Sequence, residues 1–193
     1  VTEALAAEAA GADVIIAQGL EAGGHRGSFK AEDVSRSLVG LFALLPAVVD
    51  AVKVPVVATG GIADARGVAA ALLLGASAVQ IGTGLLRTPE AKIASAWAAA
   101  IGTALPEDTV TTRAFSGRFG RSIRNAYTEA AEKGPIPAPY PIQGNITQAM
   151  LAGVTNIDRM QAWAGQSAGL TRAEPAAELI SNLWSTAKEL LSS

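Results

Sequence analysis

The sequence predicts a parallel α/β fold, and three observations predict it. Short apolar, β-branched runs recur at Ala12–Ala17 (ADVIIA), Val54–Ala58 (VPVVA) and Ala78–Ile81 (AVQI), each suited to a strand buried on both faces of a parallel sheet. Each run ends in a glycine-rich turn. Segments with helical periodicity lie between them, and crossovers of this length cover a sheet with helices.

The elements follow in order. Thr2 is placed to N-cap a helix over Glu3–Ala10 that Gly11 stops. The strand Ala12–Ala17 then opens into the turn Gln18–Gly27. Leu38–Val52 carries apolar residues at helical spacing, apart from a break at Pro46, and leads into the strand Val54–Ala58. Thr59-Gly60-Gly61-Ile62 turns the chain into a helix capped by Asp64 and stopped after Leu74 by Gly75. The third strand closes on Gly82-Thr83-Gly84. Thr88-Pro89-Glu90 supplies an N-cap, a first-position proline and a first-turn acid for a helix through Ala100. After Ala104 the rhythm changes. Thr109–Phe115 reads as extended, Arg113–Arg124 is basic and glycine-broken, and Gly134–Pro141 (GPIPAPYP) is too proline-dense for a helix or a central strand. Residues 1–104 are therefore expected to form βα repeats, 105–170 a cover or insertion, and 171–193 a closing helix. That helix runs from Glu174 or Pro175 to Leu191, with Leu179, Ile180, Leu183, Trp184 and Leu190 on its apolar side.

Composition narrows the function. Half of the 193 residues are apolar, which is enough for a sizeable core. Fifteen basic and 17 acidic residues are scattered along the chain, leaving no electrostatic footprint for nucleic acid or an anionic membrane. There is no cysteine and only one histidine, which excludes disulfides, thiolate chemistry and multi-histidine metal sites. The longest apolar stretches fall short of the roughly 20 residues that span a bilayer, and no signal peptide precedes them, so the expected location is cytoplasmic. Val1 is not a start methionine, and the expectation is that further chain precedes it.

Three turns carry chemistry. In Gln18-Gly19-Leu20-Glu21-Ala22-Gly23-Gly24-His25-Arg26-Gly27, a polar loop follows a buried strand, and parallel α/β folds bind ligands at that strand end. Gly23 and Gly24 allow the backbone to approach a flat ligand. His25 would be displayed beside it, and imidazole is the side chain suited to proton exchange near neutral pH. Glu21 is assigned a structural hydrogen-bonding role. Thr59-Gly60-Gly61 and Gly82-Thr83-Gly84 are two successive strand-end turns, each followed by a helix. This matches the phosphate site of (β/α)8 barrels, where backbone N–H groups bind a dianion. Gln80 and Thr83 add side-chain hydrogen-bonding groups at the rim. Neither a P-loop nor a dinucleotide fingerprint competes.

Other groups carry less. Trp97, Trp163 and Trp184 are read as packing residues, and Arg113, Arg118, Arg121 and Arg124 either contact an anionic group or form a solvated basic face. Ser116 and Ser122 have one histidine to pair with and no evident acid beside it, which argues against a serine-hydrolase triad.

AQGLEAGGHRG (Ala17–Gly27), PVVATGGI (Pro55–Ile62) and AVQIGTGLL (Ala78–Leu86) together resemble the nitronate monooxygenases, formerly called 2-nitropropane dioxygenases. SGRFGRSIRN (Ser116–Asn125) and WAGQSAGL (Trp163–Leu170) resemble that family's C-terminal segments, so the likeness extends over nearly the whole chain. The resemblance implies an FMN-binding (β/α)8 TIM barrel with a helical segment over its mouth. The three strands would be barrel strands six to eight, and Thr109–Leu170 would contribute the cover. Gln18 and Gly23 would border the flavin. Gly60, Gly61, Gly82 and Thr83 would hold its phosphate, with Gln80 beside them, and His25 would be the active-site histidine. The implied reaction is oxidation of an alkyl nitronate by O2 to a carbonyl compound and nitrite. In it His25 would act either as a base toward a neutral nitroalkane or as a hydrogen-bond donor to the nitronate.

The three motifs are shared with NAD(P)H-dependent flavin reductases of the same scaffold, namely quinone reductases and the flavin type of enoyl-acyl-carrier-protein reductase. That alternative stays open, as does an inactive fragment. Strands one to five have no counterpart here, although such a barrel usually needs about 250 residues. The expected partners are thus a nitronate, O2, and either a homo-oligomer or a complementary N-terminal segment, with weak or absent FMN binding by this chain alone.

Overall fold

The computed structural model describes residues 1–192. Helix α1 (Thr2–Ala9) begins one residue earlier than expected, because the Val1 carbonyl accepts the Leu5 N–H and Thr2 lies inside the first turn. Strand β1 (Ile15–Gln18) follows, then a loop containing the two-residue strand β2 (Gly24–His25). Helix α2 (Leu41–Val49) runs through Pro46 instead of breaking there. Proline removes one donor to the preceding turn, but buried Leu41, Leu45 and Val48 anchor the helix on both sides of it. Strand β3 (Val56–Thr59) leads to α3 (Ala65–Leu73), whose first turn is closed by the Asp64 carboxylate accepting the Gly67 N–H. Strand β4 (Ala78–Gln80) ends the series.

These three strands form one parallel sheet in the order β1-β3-β4. Ile15, Ala17, Val56 and Ala58 point to one face and are buried with Leu45, Val48, Val68 and Ala69 of α2 and α3. Each large aliphatic side chain so buried contributes about 1.5–3 kcal/mol. Register sets the opposite face. Ile16, Val57 and Ala78 lie side by side in one row, and Gln18, Thr59 and Gln80 in the next, at the C-terminal ends of the strands.

Beyond β4 the chain departs from the expected long helix. Pro89–Ala91 is a single 3-10 turn that stops at Lys92, whose φ is 51°, and helix α4 starts at Ser95 (Ser95–Thr103). Glu90, expected to favour that helix's own start, accepts the Ala176 N–H at the head of the last helix. Strands β5 (Thr109–Thr112) and β6 (Gly120–Ile123) form an antiparallel hairpin, and β2 joins it through β6 to make a second sheet. Strand β6 falls within the stretch read as basic and glycine-broken. Helices α5 (Ala126–Lys133) and α6 (Ile142–Leu151) flank the proline-rich stretch 134–141, which is neither helix nor strand. A second core gathers Ile101, Ile123, Met160, Ala162, Ala164 and Ala168.

Helix α7 (Ala176–Ser192) packs on α3 through buried Leu179 and Ala187. Its apolar side is only half covered. Ile180, Leu183 and Trp184 face Val68, Val79, Ile81 and Leu85 across an open groove of about 340 Å³, so Trp184 is not a core residue. No helix among the described residues is long and apolar enough to cross a membrane.

Candidate functional site

The C-terminal ends of β1, β3 and β4 open into a trough of about 1170 Å³. Gln18, Gly23, Gly60, Gly61, Gln80, Gly82 and Thr83, the residues expected to hold a cofactor, all line it. Their convergence follows from register, which sets Gln18, Thr59 and Gln80 in one row with a turn beyond each strand end. Thr59 belongs to this row too, and its hydroxyl donates to the Gln80 carbonyl at 3.0 Å.

Gly60 and Gly61 adopt φ of 105° and 70°, where a side chain would be strained. A Cβ at either would also crowd residues 19–22 of the neighbouring loop. A Cβ on Gly82, by contrast, would meet nothing within 4 Å. The amides of Gly60, Gly61 and Gly82 find no acceptor among the described residues. Unpaired N–H donors from two adjacent strand ends, one followed by the 3-10 turn Thr83–Leu85, fit an anionic group such as a phosphate. The Thr83 hydroxyl accepts the Gly165 N–H at 3.0 Å, tying this turn to the segment after Trp163.

The loop that carries His25 is braced from within. The Gln18 side-chain amide donates to the His25 carbonyl at 3.0 Å and accepts the Gly27 N–H at 2.7 Å, closing the loop on its own strand. The Glu21 carboxylate accepts the Leu41 N–H that opens α2, the structural role expected of it. Arg26 is buried and donates to the carbonyls of Gly19 and Gln18. Arg118 donates to the carbonyls of Arg26 and Ser28, and buried Arg121 to Leu20 and the Thr109 hydroxyl. Of the basic stretch, Arg118 and Arg121 thus clamp the loop through its carbonyls, and Arg118 also lines the trough. Gly23 packs on Ala164 and Gly165, where a Cβ would come within 2.6 Å of backbone.

His25 stands at the edge of the trough, outside its wall, although Gly23, Arg26, Gly27 and Arg118 around it line the trough. Its Nε2 lies 2.6 Å from Ser116 Oγ. Its ring packs 5.2 Å from that of Trp163 and meets Tyr140 edge-on at 6.0 Å. Burial lowers the imidazole pKa from its ordinary 6.5, and the Arg118 cation lowers it further. No carboxylate completes a triad at this histidine among the described residues. Ser116, Tyr140 and Trp163 were missed as neighbours of His25. Their one sequence signal was position: Ser116 and Trp163 open the segments SGRFGRSIRN and WAGQSAGL.

A family model described as nitronate monooxygenase matches residues 1–186. A "Probable nitronate monooxygenase" of Staphylococcus aureus (strain MSSA476) is 43% identical over 188 residues, covering 95% of this chain and 53% of that protein. Among solved structures, a nitroalkane oxidase from Streptomyces ansochromogenes superposes with a TM-score of 0.89 at 41% identity, covering 97% of this chain and 55% of the other. FabK from Thermotoga maritima superposes with a TM-score of 0.81 at 34% identity, covering 99% and 59%. The chain spans about half the length of the curated relatives it matches.

Proposed function

The chain belongs to the nitronate monooxygenase family, an oxidoreductase family, and from that premise we propose that the complete protein is an FMN-dependent enzyme oxidising alkyl nitronates with O2. The reaction balances as two nitronates and one O2 giving two carbonyl compounds and two nitrite ions, the carbon–nitrogen bond of each nitronate being replaced by a carbonyl bond. The observation that carries this reading is the pairing of unclaimed amides at Gly60, Gly61 and Gly82 with an imidazole at the edge of the same trough. We read the parallel sheet as strands six to eight of a (β/α)8 barrel, residues 105–170 as its cover, and a complementary N-terminal segment as the source of the remaining strands.

In this reading the amides of Gly60, Gly61, Gly82 and Thr83 hold the FMN phosphate, and Gln80 borders it. Gln18 and Gly23 flank the ring end. Bound there, FMN supplies the two-electron chemistry that amino-acid side chains lack. His25 takes the proton from the α-carbon of a neutral nitroalkane, or donates a hydrogen bond to the oxygens of a preformed nitronate. Trp163 and Tyr140 pack against the imidazole and limit its orientation.

The test is anaerobic stopped-flow on the complete protein, with flavin reduction followed separately with alkyl nitronate and with NAD(P)H. Bleaching by nitronate, and nitrite release in air, are expected. Bleaching by NAD(P)H but not by nitronate would overturn the proposal in favour of a reductase. His25→Gln is expected to retain flavin and to lose about 10²–10⁴-fold in turnover of neutral nitroalkane.

A further inference from the structure

Ser116 is 91 residues from His25 in the chain and 2.6 Å from it in space. The second sheet creates this contact: β2 pairs with β6 through His25 and Gly120, the Arg26 N–H donates to the Phe119 carbonyl, and Ser116 lies in the turn just before. Three groups surround Ser116 Oγ. The Arg118 carbonyl is 3.3 Å away and can only accept; the Arg118 amide is also 3.3 Å away and can only donate; His25 Nε2 is the third.

A hydroxyl has one proton and two lone pairs. If Ser116 gives its proton to the Arg118 carbonyl, its lone pairs accept from the Arg118 amide and from a protonated Nε2, and all three bonds form. If it gives that proton to His25, the Arg118 carbonyl loses its donor, and no other reaches it among the described residues. The first arrangement satisfies every group in a partly buried site, where an unmade bond is costly. His25 Nδ1, meanwhile, has no hydrogen bond among the described residues, and the rings of Trp163 and Tyr140 restrict rotation of the imidazole.

We propose that Ser116 is a positioning residue that fixes His25 in the Nε2–H tautomer, leaving Nδ1 as the nitrogen that exchanges a proton with substrate. This rests on the reading of His25 as the reacting group. Nδ1 accepts the substrate proton to give the imidazolium, whose Nε2–H bond to Ser116 shortens as charge develops. The charged and titratable groups facing the ring are Arg118, from the same turn as Ser116, and Tyr140, from the proline-rich stretch.

The experiment is 15N NMR of the histidine-labelled complete protein, with the His25 signals identified by their loss in His25→Gln. The neutral ring is expected to show a protonated Nε2 and a bare Nδ1; a bare Nε2 overturns the proposal without any Ser116 variant. In Ser116→Ala the apparent pKa of His25 is expected to fall by about half a unit, because a serine acceptor favours the imidazolium. Ser116→Thr is expected to restore it. A serine that donated to His25 would favour the neutral ring, so a rise, or no change, in Ser116→Ala counts against the proposal. These spectra need no turnover, whereas wild-type nitroalkane oxidation by His25→Gln would sink the catalytic reading of His25 independently.

Discussion

At the scale of single residues, the sign of the His25 shift decides what the group can do. His25 is exposed on one side, yet its partial desolvation and the nearby Arg118 cation both disfavour the imidazolium and favour the neutral ring. Its folded pKa lies below the unfolded value of 6.5. Well above 6.5 both states are neutral and the full stability is present; as pH falls through that value the unfolded chain binds its proton first, and stability is lost. The same sign governs activity. The acid limb of kcat/KM for a neutral nitroalkane is expected below pH 6.5, and to vanish when the preformed nitronate is supplied. A limb at or above 6.5, or one that persists in His25→Gln, would assign the titration to another group. The position of His25 at a ligand-binding strand end was legible, because two glycines and a strand end precede the chain's only histidine. Its partners were not. A hydrogen bond across 91 residues leaves no local periodicity or spacing to read, and Trp163 looked like core because burial and ligand proximity favour the same aromatic side chains.

At the scale of elements, alternation of strand and helix was legible wherever one face of an element meets a core. All three parallel strands and the Asp64 cap lie within a few residues of where their patterns put them. Strand β6, Gly-Arg-Ser-Ile, has no apolar alternation, yet all four residues are buried. Its polar groups are satisfied by distant backbone: Arg121 reaches the Leu20 carbonyl, and the Ser122 hydroxyl donates to Ala162. Hydropathy therefore could not reveal it. The same device holds the histidine loop, which has little apolar surface and is fixed by guanidinium groups on its carbonyls. Replacing buried Arg26 with Met removes donors from Gly19 and Gln18 and is expected to cost about 2–4 kcal/mol in denaturant unfolding of the complete protein. Arg26→Lys keeps the charge but not the two-pronged geometry, and is expected to recover less than half of that loss. Full recovery by lysine would mean that charge near Glu21, not the fork, secures the loop.

At the scale of the whole molecule, the parallel sheet ends at both sides in strands that pair only with β3 among the described residues. The face opposite the helices carries Ile16, which is 55% exposed, beside Val57 and Ala78. Val14, 48% exposed, extends this apolar surface just before β1. Open parallel edges with an uncovered aliphatic row are a template for further strands, and in a closed barrel that row faces inward to the packed centre. The chain also spans about half the length of its curated relatives. We therefore expect the 193-residue chain, expressed alone, to self-associate and to retain little FMN, because one wall of its trough is sheet face open to water. Supplying an N-terminal half of the length found in those relatives, fused or co-expressed, is expected to give monodisperse yellow protein. Ile16→Lys separates the two states: it should improve the solubility of the chain alone by breaking the apolar row, and impair assembly with the added half by placing a charge in the closed interior. The measurements are size-exclusion chromatography and the flavin-to-protein absorbance ratio. A monodisperse chain holding one FMN per molecule without any added segment would refute this reading, since it would show that three strands suffice to close the site.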